Sequence, residues 1–579
     1  MTYRTPPRFR VLHVLGVVAG VAACSGDDGK DTPATTSPSP DTSTTTPGVD
    51  SPDTSSIDST PPPTATTGDS ATAGGLAITA GPEILEPATV DVAPLARELT
   101  VSTDVPTTLV VRLDDGDRTL EVAFPATSTD HRVPLLGMPA DDTVEVEIEL
   151  TDEGGGSLVV SAGQVVTPPP PSHFPDIHVY AHDPDRMEPG YTFGSLNGLP
   201  DATYLVAFDD RLRLVWWWDG SGGFGDVRVH SDGTIVGDHD DMPTVWSFLG
   251  EELVRYTADP KRPGNVVPTP YYTTHHEVYP LDDGSFWTLC YGTTQVPDFP
   301  RAENDPTNLQ GPAQVEDNCV AHIAADGTVL AEWWMADLLD TTKIGFDSLK
   351  PTPRGADWVH LNGLVPTDDG GVIVSARHLD AVIKVSASGD LQWILGDHAG
   401  WSKAWQPYLL TPVGTLSWPY HQHAPMLDDD GTLWLHDNHN NGRTPYTPGA
   451  KAEPEVTRLV GYRIDDKAMT VEQVHSYGDA VENGPLFNAA RGDADWLPQT
   501  GHIFGTWSAI QREADGSNTA RGLGDDAVRL IEVDPVTGET VLDIRLASDR
   551  AASPKGWLMY RAEREPSLYA ADVVVTIIE

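Results

Sequence analysis

Residues 357–401 read DWVHLNGLVPTDDGGVIVSARHLDAVIKVSASGDLQWILGDHAGW. A turn at Asp368-Asp369-Gly370 leads into an apolar run to Val374, and a second at Ser388-Gly389 leads into a run ending at Trp393. Asp and Gly favour tight turns, and short apolar runs between such turns read as β-strands. The same unit recurs on both sides. It runs from Asp209-Asp210 to Trp216-Trp217-Trp218, from Asp282-Asp283-Gly284 to Trp287, and from Asp326-Gly327 to Trp333-Trp334. It recurs again from Asp429-Asp430-Gly431 to Trp434 and from Thr537-Gly538 to Ile544. Short strands repeating over so long a stretch predict a β-propeller. Residues 172–579 are assigned to it, and six blades of about 68 residues each are favoured, with seven as the alternative.

The segment before it has a different texture. Residues 76–171 contain strictly alternating runs, such as Val144-Glu-Val-Glu-Ile-Glu-Leu150, with one apolar and one acidic face. That period of two predicts half-buried strands and a small β-sandwich of immunoglobulin or fibronectin type, ended by a stiff hinge at Pro168–Pro171. The fold class expected is therefore all-β, a β-propeller preceded by a β-sandwich.

The first residues read as an address. Arg4, Arg8 and Arg10 precede a short apolar run, Val11 to Ala23, too short for a stable membrane span. The run ends Val21-Ala22-Ala23-Cys24, which resembles a bacterial lipobox with Cys24 as the lipidated residue. Residues 25–75 are Ser, Thr, Pro, Asp and Gly almost throughout, a composition that cannot offset chain entropy and predicts a disordered stalk. An exported lipoprotein is expected, with Ser25 pointing to the outer membrane and the folded body facing the periplasm or cell surface.

Charge excludes several partners. With 36 basic and 86 acidic residues the net charge is -50, which argues against nucleic acid and against electrostatic docking on anionic lipid. The acidic turns read as solvated turn chemistry, because no spaced calcium loop is visible. Of three cysteines, Cys290 and Cys319 remain after Cys24. Export permits a disulfide, and a Cys290–Cys319 bridge is slightly favoured over two buried thiols.

Nineteen histidines are present, and four clusters stand out. They are His275-His276-Glu277, the His360-x-Asn362 of the opening stretch, Arg377-His378, and His421-Gln422-His423. In a propeller the inner strands converge on one axis, so these clusters can meet at one end of the channel. Any one His is more often structural than catalytic; together they predict a site. His421-x-His423 and His275-His276 could bind a metal, but no cysteine or carboxylate motif completes a ligand set, and neither metal nor cofactor is assigned.

The opening stretch closely resembles the bacterial arylsulfate sulfotransferase family, the type that does not use the nucleotide donor PAPS. The His-His-Glu-Val and Gln-His elements, Tyr560-Arg-Ala-Glu-Arg564 and Pro566-Ser-Leu-Tyr569 fit the same family. The resemblance implies a six-bladed propeller behind a small β-sandwich. It implies ping-pong transfer of a sulfuryl group from an aryl sulfate to a phenol through a sulfohistidine at His423. His360, Asn362, Arg377 and His276, the last preferred over His275, would serve as donors to the sulfuryl oxygens. Two features depart from the pattern. His421 shares a strand face with His423 if that segment is extended, which makes it a rival nucleophile or acid/base group. The segment Leu435–Arg443 is expanded, and His436, His439 or Arg443 would alter the acceptor site. Rival functions are a non-catalytic surface propeller binding a ligand or glycan, a quinone-dependent dehydrogenase and a sulfatase. The oligomeric state is not set by the sequence; the β-sandwich offers either a homodimer surface or an extension of the stalk.

Overall fold

The structure, a computed structural model, describes residues 75–198, 202–448, 455–478, 486–512, 525–547 and 556–578. The expected export signal, Cys24 and the stalk lie outside the described residues.

The N-terminal β domain is a single hydrogen-bonded sheet bent over on itself, not two separate sheets. Its spine is the pair Arg97–Asp114 and Thr119–Leu135, long strands broken by register shifts between Ser102 and Leu109. Beyond the break the spine changes neighbour. Ile78–Leu85 pairs with its first half and Thr143–Asp152 with its second. A bulge at such a point bends the strand and increases its twist, which lets one sheet enclose its own core. The alternation at 144–150 is realised, with Val144, Val146, Ile148 and Leu150 all buried. That core is continuous with Phe193, Trp216, Phe224, Trp246 and Phe248 of the next sheets.

Six further sheets follow among the described residues. Their inner strands are Ala562–Glu565, Phe224–Val229, Thr274–Pro280, Leu361–Pro366, His423–Leu427 and Asp493–Leu497. Each touches the next, and the last touches the first, so they form a closed ring around a channel. This is the expected propeller. Its closure uses both ends of the repeat region. The C-terminal strands Trp557–Leu558 and Ala562–Glu565 form the inside of the sheet that holds Tyr191–Gly198, and Asp176–His182 adds to the outside of the last sheet. Tryptophans pack sheet against sheet. Trp393 shares a cluster with Leu433 and Val460, and Trp434 shares one with Ile503 and Ile531.

One boundary is corrected. The last described strand, Val574–Ile578, does not belong to the propeller but pairs with Thr119–Ala123 in the first sheet. The Tyr569 hydroxyl ties the same segment to that domain, accepting from the Leu136 amide at 2.8 Å and donating to its carbonyl at 3.1 Å. An apolar run carries no record of which distant edge it will meet, so periodicity alone placed it in the repeat.

Candidate active site

Four inner strands carry a register shift near the same end, between Phe224 and Val227, His275 and Val278, Leu361 and Gly363, and His423 and Met426. Left-handed backbone accompanies three of them, with φ of 64° at His276, 46° at His360 and 50° at Ala424. Non-glycine residues rarely adopt this conformation, and bulges beside active sites re-aim side chains. The same device therefore turns histidines from several blades toward one channel mouth.

His423 sits at 3 % exposure with its ring held at both nitrogens. Nδ1 lies 2.6 Å from Asn438 Oδ1, and Nε2 accepts the Arg491 backbone N–H at 3.1 Å. The Asn438 amide is oriented by its other bonds, Nδ2 donating to the carbonyls of Asn488 (3.0 Å) and Arg491 (2.9 Å). Its Oδ1 can only accept, so His423 carries its proton on Nδ1 and its lone pair on Nε2. Burial, reinforced by the Arg377 charge, holds the imidazole well below its usual range and keeps it neutral.

The other predicted donors lie close by. The His276 and His360 rings are 5.1 Å apart, and both are partly open to the channel. His360 Nδ1 is bonded to Asp357 Oδ2 at 2.9 Å. Burial opposes ionisation of Asp357, but the His360 ring bonded to it and the Arg377 guanidinium outweigh that and keep its carboxyl below the usual range. His275 turns the other way, stacked on Tyr291 at 4.0 Å and fully buried, with Nδ1 2.7 Å from His276 Nδ1. Of the pair, His276 is the one in the channel, and burial holds both well below the usual imidazole range.

Arg377 opens the short turn Arg377–Leu379 at the end of its strand. It donates to His378 Nε2 at 2.6 Å and to the Ala489 carbonyl at 3.1 Å, while its Nε is buried without a hydrogen-bond partner among the described residues. Asn362 Nδ2 donates one N–H to the Gln422 carbonyl at 2.8 Å, which fixes the amide, and its Oδ1 is buried without a partner among the described residues. It ties its strand to the Gln422-His423 segment of the next blade.

His421 does not share a face with His423. Its φ of 55° breaks the extended geometry on which that expectation rested. The ring is fully buried between two carboxylates, Nδ1 2.8 Å from Asp380 Oδ1 and Nε2 3.5 Å from Asp347 Oδ2. His436 is likewise a buried tie, bonded to Asn488 Oδ1 at 2.9 Å and the Asp493 carbonyl at 3.1 Å, and burial lowers its pKa to about 4. His439 bonds Asp437 at 3.0 Å, and Arg443 lies over Phe346 at 5.1 Å and donates to the Thr447 carbonyl at 3.1 Å. Cys290 and Cys319 face each other on adjacent strands of the third blade, Cα–Cα 5.0 Å, joined as a disulfide.

Asp357, His360 and His378 each bring a potential metal-ligand atom within 4.8 Å of the others. Both His378 nitrogens are engaged, however, Nε2 by Arg377 and Nδ1 by the Asp357 carbonyl at 2.7 Å. A cavity of about 290 Å³ lies elsewhere, between the first sheet and the propeller, but its arginines Arg118 and Arg213 are already paired with Asp210, Asp209 and Asp115.

Sequence reasoning missed Asn438, Arg491 and Asp357. The Asp357-x-x-His360 spacing was a usable signal. Arg491 comes from a loop far along the chain; its guanidinium makes no hydrogen bond or ion pair among the described residues, and its charge acts on His276.

A family model, Arylsulfotransferase (ASST), matches residues 177–561. The chain belongs to the arylsulfotransferase family. A curated relative is the arylsulfate sulfotransferase AssT of Escherichia coli O6:H1 (strain CFT073), 28 % identical over 215 residues. The match covers 34 % of this chain and 34 % of the relative, about a third of its length. Solved structures also align. A Bacteroides caccae protein of unknown function has a TM-score of 0.36 and 12 % identity, covering 65 % of this chain and 98 % of its own. A streptogramin B lyase has a TM-score of 0.29 and 10 % identity, covering 65 % and 98 %. The arylsulfotransferase match takes in every predicted histidine and Arg377, and it ends at Arg561, where the inner strand of the first blade begins.

Proposed function

We propose that this arylsulfotransferase-family chain transfers a sulfuryl group from an aryl sulfate to a phenolic acceptor, without PAPS, through a covalent intermediate on His423. The observation that carries the proposal is the tautomer of His423, a neutral ring whose Nε2 lone pair is set by Asn438 beside Arg377. His421 Nε2 instead faces the Asp347 carboxylate at 3.5 Å in a fully buried setting, where an anionic sulfuryl group would be repelled, so His421 is not taken as the nucleophile.

In the first half-reaction Nε2 leaves the Arg491 amide and attacks sulfur. The N–S bond forms as the S–O(aryl) bond breaks, and the electron pair departs on the phenolate. In the second, the acceptor oxygen attacks sulfur, the N–S bond breaks, and the acceptor's proton ends on the departed phenolate. Charge spread over the sulfuryl oxygens needs preorganised donors. Arg377, Arg491, His276 and His360 would supply them, with Asp357 orienting His360. Asn362 acts as a positioning residue through Gln422. In a chain of net charge -50 this local positive pocket is what makes an anionic donor bindable.

The test is release of 4-nitrophenolate from 4-nitrophenyl sulfate, with and without phenol, for wild type and His423→Asn. Acceptor-dependent turnover with phenyl sulfate as product, lost in His423→Asn, is expected. Release of free sulfate without need of phenol would make the chain a sulfatase. We further infer, from the lipobox at Cys24 and the composition of residues 25–75, that the enzyme is exported and held at a membrane by lipid.

A further inference from the structure

The channel beyond the histidines is lined by buried charge. Asp226 and Arg228 stand on Phe224–Val229, Glu277 on Thr274–Pro280, and Asp493 and Asp495 on Asp493–Leu497. Glu563 stands on Ala562–Glu565, and Arg561 directly precedes that strand. The two guanidiniums are committed. Arg561 Nη1 lies 2.7 Å from Glu277 and 3.5 Å from Asp226, and Arg228 lies 2.9 Å from Asp226, 3.4 Å from Glu277 and 3.0 Å from Glu563 Oε1.

Asp493 and Asp495 are left with no ion pair among the described residues. They are 2 % and 4 % exposed. Asp493 Oδ1 accepts the Ala494 N–H at 3.0 Å and the Asp495 carboxyl lies within hydrogen-bond reach of Glu563, but Asp493 Oδ2 and Asp495 Oδ2 meet no N–H or hydroxyl donor among the described residues. Buried carboxylate oxygens without partners are costly, and they are ordinarily satisfied by a donor or a cation.

Their placement suits a cation. Two residues apart on an extended strand, Asp493 and Asp495 share a face, and Glu563 reaches them from the adjoining strand of the first blade. One oxygen from each of the three lies within 4.8 Å of the others. Oxygens bound to one Ca²⁺ at about 2.4 Å can stand up to about 5 Å apart, so a single ion reaches all three. The donors are all carboxylate oxygens, with neither imidazole nor thiolate, which selects a hard divalent cation over zinc or copper.

We propose that Asp493, Asp495 and Glu563 form a binding site for a divalent cation of the Ca²⁺ type, clamping the last blade to the C-terminal strand that completes the first. The site closes the ring where it is joined by non-local pairing, and it does not depend on the sulfuryl chemistry proposed above.

The full chain, purified in Ca²⁺ and desalted, is expected to retain one equivalent of Ca²⁺ by elemental analysis. Chelation should remove it and lower the Tm. Asp495→Asn should lose the equivalent and weaken Ca²⁺ binding by at least about 10-fold, whereas Asp429→Asn, in an exposed turn, should keep it. Should Asp495→Asn fail to fold, wild-type Tb³⁺ luminescence excited through tryptophan gives the same reading: saturation at one equivalent, displaced by Ca²⁺. Absence of retained metal together with a Tm unmoved by millimolar Ca²⁺, wild-type affinity in Asp495→Asn, or Tb³⁺ binding that never saturates would overturn the proposal.

Discussion

Replacing Asn438 by Ala isolates the group that sets the nucleophile. Asn438 is fully buried and makes three bonds through its side chain. The two carbonyls it serves each keep a second donor, Thr457 Oγ1 on Asn488 at 3.3 Å and Asn488 Nδ2 on Arg491 at 3.1 Å. The loss of stability should therefore stay near about 2 kcal/mol, short of global unfolding. Catalysis should suffer in a distinct way. Before attack the Nδ1–H···Oδ1 bond joins neutral groups and is worth about 1 kcal/mol. As sulfur bonds to Nε2 the ring becomes cationic, and a bond to a charged donor is worth about 1.5–3 kcal/mol. The difference, about 0.5–2 kcal/mol, is available only in the transition state and corresponds to roughly 2–30-fold in kcat. Loss of the Nδ1–H tautomer adds to it. We expect Asn438→Ala to lower kcat for 4-nitrophenyl sulfate by about 10-fold or more, with a far smaller change in KM. A folded variant with wild-type kcat would show that Asn438 does not control the nucleophile, and the assignment of His423 Nε2 would lose its support.

Arg377→Lys keeps the charge but loses the planar fork that reaches both His378 and the Ala489 carbonyl; kcat/KM should fall by about 10–100-fold, and a change within twofold would remove Arg377 from the sulfuryl contacts. Burial holds the imidazoles of His275, His276, His378 and His423 well below their usual range. An unfolded imidazole titrates near about 6.5, so below that pH the unfolded chain binds protons that the folded chain refuses. Stability is thus present above about pH 6.5 and lost as pH falls, each His contributing at most about 1.4 kcal/mol per unit; urea unfolding at pH 7.5, 6 and 5 measures this, and a flat profile is inconsistent with neutral buried histidines. Gly492 has φ 109°, and a Cβ there would come 2.3 Å from His436 Nε2. Gly492→Ala should cost about 3 kcal/mol in urea unfolding through strain and overpacking, and a neutral effect would mean that the loop before the last inner strand is not held as described.

What the sequence determined by itself is local. Alternation of period two placed strands such as Thr143–Asp152, and Asp-Gly turns separated the strands of the blades, because these patterns are set within a few residues. The repeat of such units fixed the propeller, and the family-like elements pointed to His276, His360, Arg377 and His423. Tertiary structure decided the rest, where the outcome depends on partners far along the chain. The first domain is one bent sheet because a bulge midway along Arg97–Asp114 changes that strand's neighbour. The apolar strand Val574–Ile578 left the repeat for that sheet because nothing in an alternating run names the edge it will join. His421 fell away from His423 because a single left-handed residue overrides the i, i+2 rule of an extended strand. Asn438 and Arg491 could not be found from motifs, since their roles exist only where two blades bring their loops to one imidazole. A side chain's type is written in the chain, but its hydrogen-bond partner, and so its tautomer and its chemistry, is chosen by the ring's closure.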